Sequence, residues 1–322
     1  MKKLLEREIA EGGAQMLLKD RFQGCFIGLA AGDALGTTVE FSSPGTFEPV
    51  TDIVGGGVFD LAPGQWTDDT SMALCLAESL VRKEEFDPGD QMRRYTNWYQ
   101  VGYMSSTGTC FDIGGATRNA LERFEATGEA YSGSTNPMTA GNGSIMRLAP
   151  VAMAYANQPN QAIKYAGLSS RTTHAAVESV EACEALASIL VAGLHGADKD
   201  VMLRPDTCRQ WREEKSFSPA IEEVVQGSYR DKAPPEIQGS GYVVRSLEAA
   251  LWAFYHSSSF EEGALLAVNL GDDADTTGAV YGQIAGAYYG LSSIPSHWRE
   301  KLALRDTLNE LTEALWSKAE AR

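Results

Sequence analysis

The sequence predicts an all-α fold built as one compact orthogonal bundle of helices. Three observations lead there. Apolar residues recur at helical spacing in segment after segment, two distant stretches carry a glycine every fourth residue, and no convincing run alternates apolar and polar residues as a half-buried strand would. The chain divides into a short arm, residues 1 to 20, and a domain over residues 21 to 322.

The arm places Leu4, Leu5 and Ile9 before Gly12-Gly13 and Met16 and Leu17 after it. It reads as a terminal amphipathic helix that frays, or as a segment that docks on a partner protein. Residues 22 to 36 come next, with Gly24, Gly28, Gly32 and Gly36 along one helical face. Interior glycine costs a helix about 1 kcal/mol relative to alanine, so four in register make sense where another backbone must approach closely. Gly278, Gly282, Gly286 and Gly290 repeat the stripe. The two helices are expected deep in the core, against each other.

Between them the pattern gives helices at 72 to 81, 90 to 103 and 116 to 124, and one from the Gly141 turn to about Tyr155. A long helix follows Ser169 to His174, with Val177, Val180, Cys183, Ala187, Leu190, Val191 and Leu194 on its apolar face. Residues 196 to 240 are the most polar and read as short surface helices. Val243, Leu247, Ala250, Leu251 and Phe254 mark another helix, and Leu304, Leu308, Leu311 and Leu315 the last.

Two acidic loops carry the chemistry. One is Thr67-Asp68-Asp69-Thr70, ahead of the apolar segment at 72; the other is Asp272-Asp273-Ala274-Asp275-Thr276-Thr277, ahead of the second glycine stripe. Each loop alone could merely cap the helix behind it. Capping uses one side chain, whereas a row of like charges between apolar segments repels itself unless a cation sits among them. An oxygen-only donor set of this kind suits Mg²⁺ or Mn²⁺ better than Zn²⁺ or Cu²⁺.

Other positions have simpler readings. Asp112 is placed as the N-cap of the helix at 116, although a carboxylate at that turn can also face a ligand. Glu40 stands at the end of a buried helix, where a metal-side or proton-transfer role is open to it. Gly141-Asn142-Gly143-Ser144 is a small-residue turn whose backbone N–H groups suit a phosphate. Of four histidines, His174 alone sits among motif-like residues, at what reads as a helix entrance.

Composition limits the partners. A formal charge of -16 argues against a nucleic-acid partner, which clustered Lys and Arg would bind. Five cysteines without a Cys-x-x-Cys pair read as reduced core residues, and with no membrane-length apolar run or secretory signal the expectation is a cytoplasmic protein.

Taken together, Gly32-Asp33-Ala34-Leu35-Gly36 with Val39-Glu40-Phe41, Gly64-Gln65 with Thr67-Asp68-Asp69-Thr70, Asp112-Ile113-Gly114, Gly141-Asn142-Gly143 with Met146-Arg147, Thr173-His174 and Asp273-Ala274-Asp275-Thr276-Thr277-Gly278 resemble the ADP-ribosylglycohydrolase family. The likeness leans toward the bacterial dinitrogenase reductase-activating branch. It implies two Mg²⁺ or Mn²⁺ ions held by Thr67, Asp68, Asp69, Asp273, Asp275 and Thr276, with Asp272 outside the ligand set. It also implies catalytic roles for Asp112 and Glu40, and substrate contacts from Gly114, Gly141, Asn142, Gly143, Ser144, His174 and, for adenine, Tyr242.

The implied reaction is release of ADP-ribose from an arginine side chain of a modified protein. Serine-linked or O-acetyl ADP-ribose are alternative substrates. A non-catalytic ADP-ribose binder, or an immunity protein that grips an ADP-ribosylating toxin through the arm, is the alternative role. Helical prenyl-diphosphate enzymes also use Asp-rich helices, but Asp68-Asp69 lacks the further acid they place three residues on.

Overall fold

The computed structural model describes residues 18–322, so the arm lies outside the described residues except for its last three positions. Leu18 donates its N–H to the Leu194 carbonyl, and the first helix already begins at Lys19.

In chain order the helices are α1 (Lys19–Gly36), α2 (Asp68–Arg82), α3 (Pro88–Val101), α4 (Gly115–Thr127), α5 (Ala149–Ala154), α6 (Pro159–Thr173), α7 (Val177–Leu194), α8 (Lys199–Met202), α9 (Pro205–Arg209), α10 (Pro219–Val225), α11 (Val243–Tyr255), α12 (Phe260–Val268), α13 (Ala274–Tyr289), α14 (Ser296–Lys301) and α15 (Arg305–Glu320). Among the described residues only isolated bridges and no strands occur, as the all-α expectation requires.

The centre is the antiparallel pair α1 and α13. Gly24 lies opposite Gly286, Gly28 opposite Gly282 and Gly32 opposite Gly278, and a Cβ on any of them would collide with the facing main chain. The stripes therefore do what their spacing predicts, with one exception. Gly36 faces the Ala274 and Asp275 main chain instead of a glycine, while Gly290, whose own Cβ would strike Asp20, ends α13 at φ 85° with its main chain against Gly24. Because α1 and α13 are buried nearly all round, neither shows a polar face.

Local signals set several boundaries. Asp87 accepts the N–H of Asp90 (2.9 Å) with Pro88 in the first turn of α3, and Gly102 closes that helix at φ 69°. Ser259 accepts the N–H of Glu262 (3.1 Å) to start α12.

Three expectations are corrected. Asp68, Asp69 and Thr70 form the first turn of α2 itself. The segment after Gly141 stays in turns through Arg147, so only Ala149–Ala154 is helical. His174 ends α6 instead of opening α7, and Val177 is 62% exposed rather than part of the apolar face.

Candidate active site

The site forms where α1, α2 and α13 meet. Asp33, in the last turn of α1, is fully buried. Its Oδ1 accepts the N–H of Thr67 (2.9 Å) and lies 3.0 Å from the Thr67 hydroxyl, and its Oδ2 accepts the N–H (3.0 Å) and hydroxyl (2.6 Å) of Thr70. An acid on one helix thus caps the N-terminus of another, where Thr67 makes no cap of its own. Burial, then the Asp275 charge, push Asp33 up to about 7 despite those hydrogen bonds. Sequence reasoning gave Asp33 no role; the signal was an acid inside an otherwise apolar glycine helix.

Thr67 also links the two acidic segments. Its hydroxyl lies 2.9 Å from Asp275 Oδ2 and 3.0 Å from Asp33 Oδ1, and its one hydrogen can serve only one of them. Asp69 Oδ1 accepts the Thr276 hydroxyl at 3.3 Å, while Asp69 Oδ2 is buried with no partner. Asp273 stands at the N-cap of α13 and accepts the Asn142 side-chain amide at 3.0 Å. Asp272 is exposed.

Glu40 and Asp112 join the same cluster. One oxygen of each lies within 4.8 Å of one from Asp275 and of each other. Glu40 Oε2 accepts the N–H groups of Ala274 (2.7 Å) and Asp275 (3.2 Å), and so caps α13 from across the core. The N-cap expected at Asp112 is corrected: Gly114 holds that position, and Asp112, at φ 58°, has its carboxylate turned to the acids. Phe41 (59°) and Asp272 (54°) share the left-handed conformation, and Phe41 N–H to Asp272 O (2.7 Å) and Asp272 N–H to Ser42 O (2.8 Å) pin their segments together. Side chains with a Cβ rarely adopt that region, and such residues gather at functional sites.

Crowding sets the electrostatics. Burial first, then neighbouring acids, raise Asp68, Asp69 and Glu40 well above the carboxylate range, Asp112 up to about 11 and Asp273 up to about 7. A buried acid with an unpartnered oxygen, surrounded by carboxylates and hydroxyls, is the donor chemistry of a hard divalent cation.

The cluster opens into a cleft of about 870 Å³, the size of a nucleotide-like ligand site. Of the residues expected there, Glu40, Asp68, Asp112, Gly114, Gly141, Asn142, Gly143, His174, Tyr242, Asp273, Asp275 and Thr276 line it. Thr67, Asp69 and Ser144 do not: Thr67 and Asp69 are fully buried behind the lining acids, and the Ser144 hydroxyl turns inward to Ser170 at 2.8 Å, so only its main chain remains for a ligand. Within that turn the N–H groups of Gly141 and Asn142 are taken by Thr139 O and Gly241 O, whereas those of Gly143 and Ser144 have no acceptor among the described residues. Asn142 reaches Asp273 and Ser246, so its side chain braces the acids. Tyr242 is 37% exposed and donates its hydroxyl to Glu178 at 2.8 Å.

Two features were not foreseen. The first turn of α4, from Gly115 to Thr117, borders the cleft with the free N–H groups of a helix start. Beside Glu40 and Asp112 an aromatic rim runs from Phe41 to Phe59 (6.2 Å between ring centres) to Phe111 (5.2 Å), with Phe41 63% exposed.

Known proteins share this architecture. A solved structure described as an ADP-ribosylglycohydrolase-related protein complex superposes with a TM-score of 0.83 at 48% identity, covering 94% of this chain and 98% of the other. The ADP-ribosylarginine hydrolase Tri1 of Pseudomonas putida (strain GB-1) is 45% identical over 93% of this chain and 79% of its own length. The ADP-ribosyl-[dinitrogen reductase] glycohydrolase of Rhodospirillum rubrum is 33% identical over 89% of this chain and 91% of its own. The sequence profile described as ADP-ribosylglycohydrolase matches residues 14–322, nearly the whole length over which the acids, the cleft and the glycine-paired helices are built, and the chain belongs to that family.

Proposed function

We propose that this chain is a divalent-cation-dependent hydrolase that releases ADP-ribose from an arginine side chain of a modified protein. The observation that carries the proposal is the unpartnered Asp69 Oδ2, buried among carboxylates of which Asp68, Asp273 and Asp275 line the cleft. The arginine linkage is supported by the names of the Tri1 relatives, at 45% and 42% identity.

Thr67, Asp68, Asp69, Asp273, Asp275 and Thr276 would hold two Mg²⁺ or Mn²⁺ ions, with Asp33 fixing Thr67 in place. Bound ions would offset the repulsion among these acids and supply Lewis acidity toward a ribose diol.

The protein groups divide the remaining work. The first-turn N–H groups of α4 and those of Gly143 and Ser144 would receive pyrophosphate oxygens. His174 would reach a phosphate or ribose oxygen, and Tyr242 would lie against adenine. Asp112 would face the arginine guanidinium and hold or deliver the proton its departing nitrogen needs. Glu40 spends one oxygen on the start of α13, which leaves the other for the cleft. The Phe41, Phe59 and Phe111 rim would receive the apolar stem and cationic head of the arginine.

The test is release of ADP-ribose from an arginine-ADP-ribosylated protein with Mg²⁺, with Mn²⁺ and with EDTA, beside Asp68→Ala and Asp275→Ala. Cation-dependent release lost in both variants supports the proposal. Release only from serine-linked or O-acetyl ADP-ribose keeps the site and overturns the linkage. Binding of ADP-ribose without release from any linkage makes the chain a binder. Whether the arm also grips a toxin is read separately, by removing residues 1 to 17 and measuring partner binding.

A further inference from the structure

Arg147 is 1% exposed, and among the described residues it is hydrogen-bonded to no carboxylate. Its guanidinium lies over the Tyr95 ring (4.5 Å to the centre) and donates to Thr172 Oγ1 at 3.3 Å and Thr173 Oγ1 at 2.8 Å, while its Nε has no partner. A buried cation without a counter-charge is costly to keep.

Arginine can only donate, so Thr173 Oγ1 is the acceptor of that bond. The same oxygen lies 2.9 Å from His174 Nδ1, and no third partner of the Thr173 hydroxyl is present among the described residues. Two arrangements of hydrogens are open. In one, Thr173 donates its hydrogen to Nδ1, and both the oxygen and the hydrogen of its hydroxyl are used. In the other, Nδ1–H donates to Thr173, and the hydroxyl hydrogen is left in a buried place without an acceptor, which folded proteins avoid.

On the far side of the ring, Nε2 borders the cleft beneath the Gly141 to Gly143 turn: a Cβ on Gly141 would lie 3.3 Å from it, and one on Gly143 would lie 2.7 Å from Cε1. No protein acceptor for Nε2 occurs among the described residues.

We propose that Arg147 and Thr173 are positioning residues that fix His174 in the tautomer with its hydrogen on Nε2, so that the ring offers a donor to an anionic oxygen in the cleft. Burial first, then the Arg147 charge, hold the imidazole down at about 3, so the ring stays neutral and only the tautomer has to be chosen. The oxygen's identity, as phosphate or ribose of ADP-ribose, rests on the proposed function; the tautomer does not.

The test is nitrogen-15 NMR of the imidazoles in the full ligand-free chain, with the His174 signals assigned by their loss in His174→Gln. The expected result is a protonated Nε2 and a bare Nδ1 in the wild type. Thr173→Val keeps the shape and removes the hydroxyl. It should move the ring toward a mixture of tautomers and weaken ADP-ribose binding about three- to tenfold, the equivalent of one neutral hydrogen bond. Thr173→Ser should restore both, which a loss of packing alone would not allow. A wild-type ring protonated on Nδ1, or a Thr173→Val ring with its tautomer unchanged, overturns the proposal. An Nε2-protonated ring in a chain that releases ADP-ribose from no linkage supports the relay and refutes the proposed reaction.

Discussion

Glu40 reaches across the core to the N–H of Ala274, 2.7 Å from its Oε2, so the segment that follows the first glycine helix caps the start of the second. The residue thereby ties the orientation of Asp275 to the end of α1. Glutamine at this position retains an acceptor oxygen, and alanine does not. Glu40→Ala should be less stable in urea unfolding than Glu40→Gln by about 1 kcal/mol, the usual worth of a helix cap. Equal stability of the two variants would show that the cap contributes nothing.

The α1 and α13 backbones leave no room for side chains where they cross. Gly282→Ala would drive a Cβ into the Gly28 carbonyl, and Gly32→Ala one into Gly278. Each should destabilise the chain by about 2 kcal/mol or more, since the obstruction is main chain that cannot rotate away. Gly89→Ala, whose Cβ would meet only side-chain atoms at 3.3 Å, serves as the control. A melting temperature for Gly282→Ala equal to that of Gly89→Ala would contradict the close approach.

Asp69 distinguishes a cation site from a structural acid by the sign of its effect. With Oδ2 unpartnered and other acids near, burial and repulsion hold Asp69 well above the ordinary carboxylate range, so Asp69→Asn should raise the melting temperature of the metal-free protein at neutral pH by removing an acid that folding forces to keep its proton. The same variant should lose most of the added stability that Mn²⁺ gives the wild type. If metal-free Asp69→Asn melts lower and Mn²⁺ still stabilises it fully, Asp69 is a structural residue.

His174 yields a pH prediction with a definite sign. Its folded value, about 3, lies below the ordinary histidine value of 6.5, because burial and Arg147 disfavour the imidazolium. Below pH 6.5 the unfolded chain takes up a proton that the folded chain refuses. The contribution of His174 to stability is therefore complete above pH 6.5 and is lost as pH falls toward 3. Its NMR signals should stay at their neutral positions from pH 8 to pH 5, and a shift toward the imidazolium in that interval would sink the assignment.

The parts of this molecule written in local pattern were legible in its sequence. The glycine stripes announced a close helix pair, because only a facing backbone accounts for so many unfavourable helix residues on one face. The acidic segments announced an oxygen-rich site, since repulsion among adjacent carboxylates depends little on the rest of the fold.

Features that depend on tertiary contact were harder to see. The segment that forms α6 mixes Gly167, Ser169, Ser170, Thr172 and Thr173 with few large apolar residues, so its period is faint and does not reveal that His174 closes a helix. The α12 segment, nine residues with Gly263 inside, is too short to establish a period. Asp112 looked like a cap because an acid before a helix usually is one, and only its left-handed backbone turns the carboxylate away. Asp33 caps a helix that starts 35 residues later, and no local rule reports such a bond.

The pairing of α1 with α13 also has a consequence during synthesis. The Thr67 and Asp275 side chains that meet in the site are separated by 208 residues. At about 5 to 20 residues per second, the nascent chain spends roughly 10 to 40 s with the first half of its site made and the second not yet translated. Throughout that interval α1 presents a bare glycine face and Asp33 has no Asp275 beside it. A ribosome-bound chain stopped before residue 274 lacks Asp275 and the second glycine helix, so the site is complete only when the last seventh or so of the protein has folded back onto the first helix.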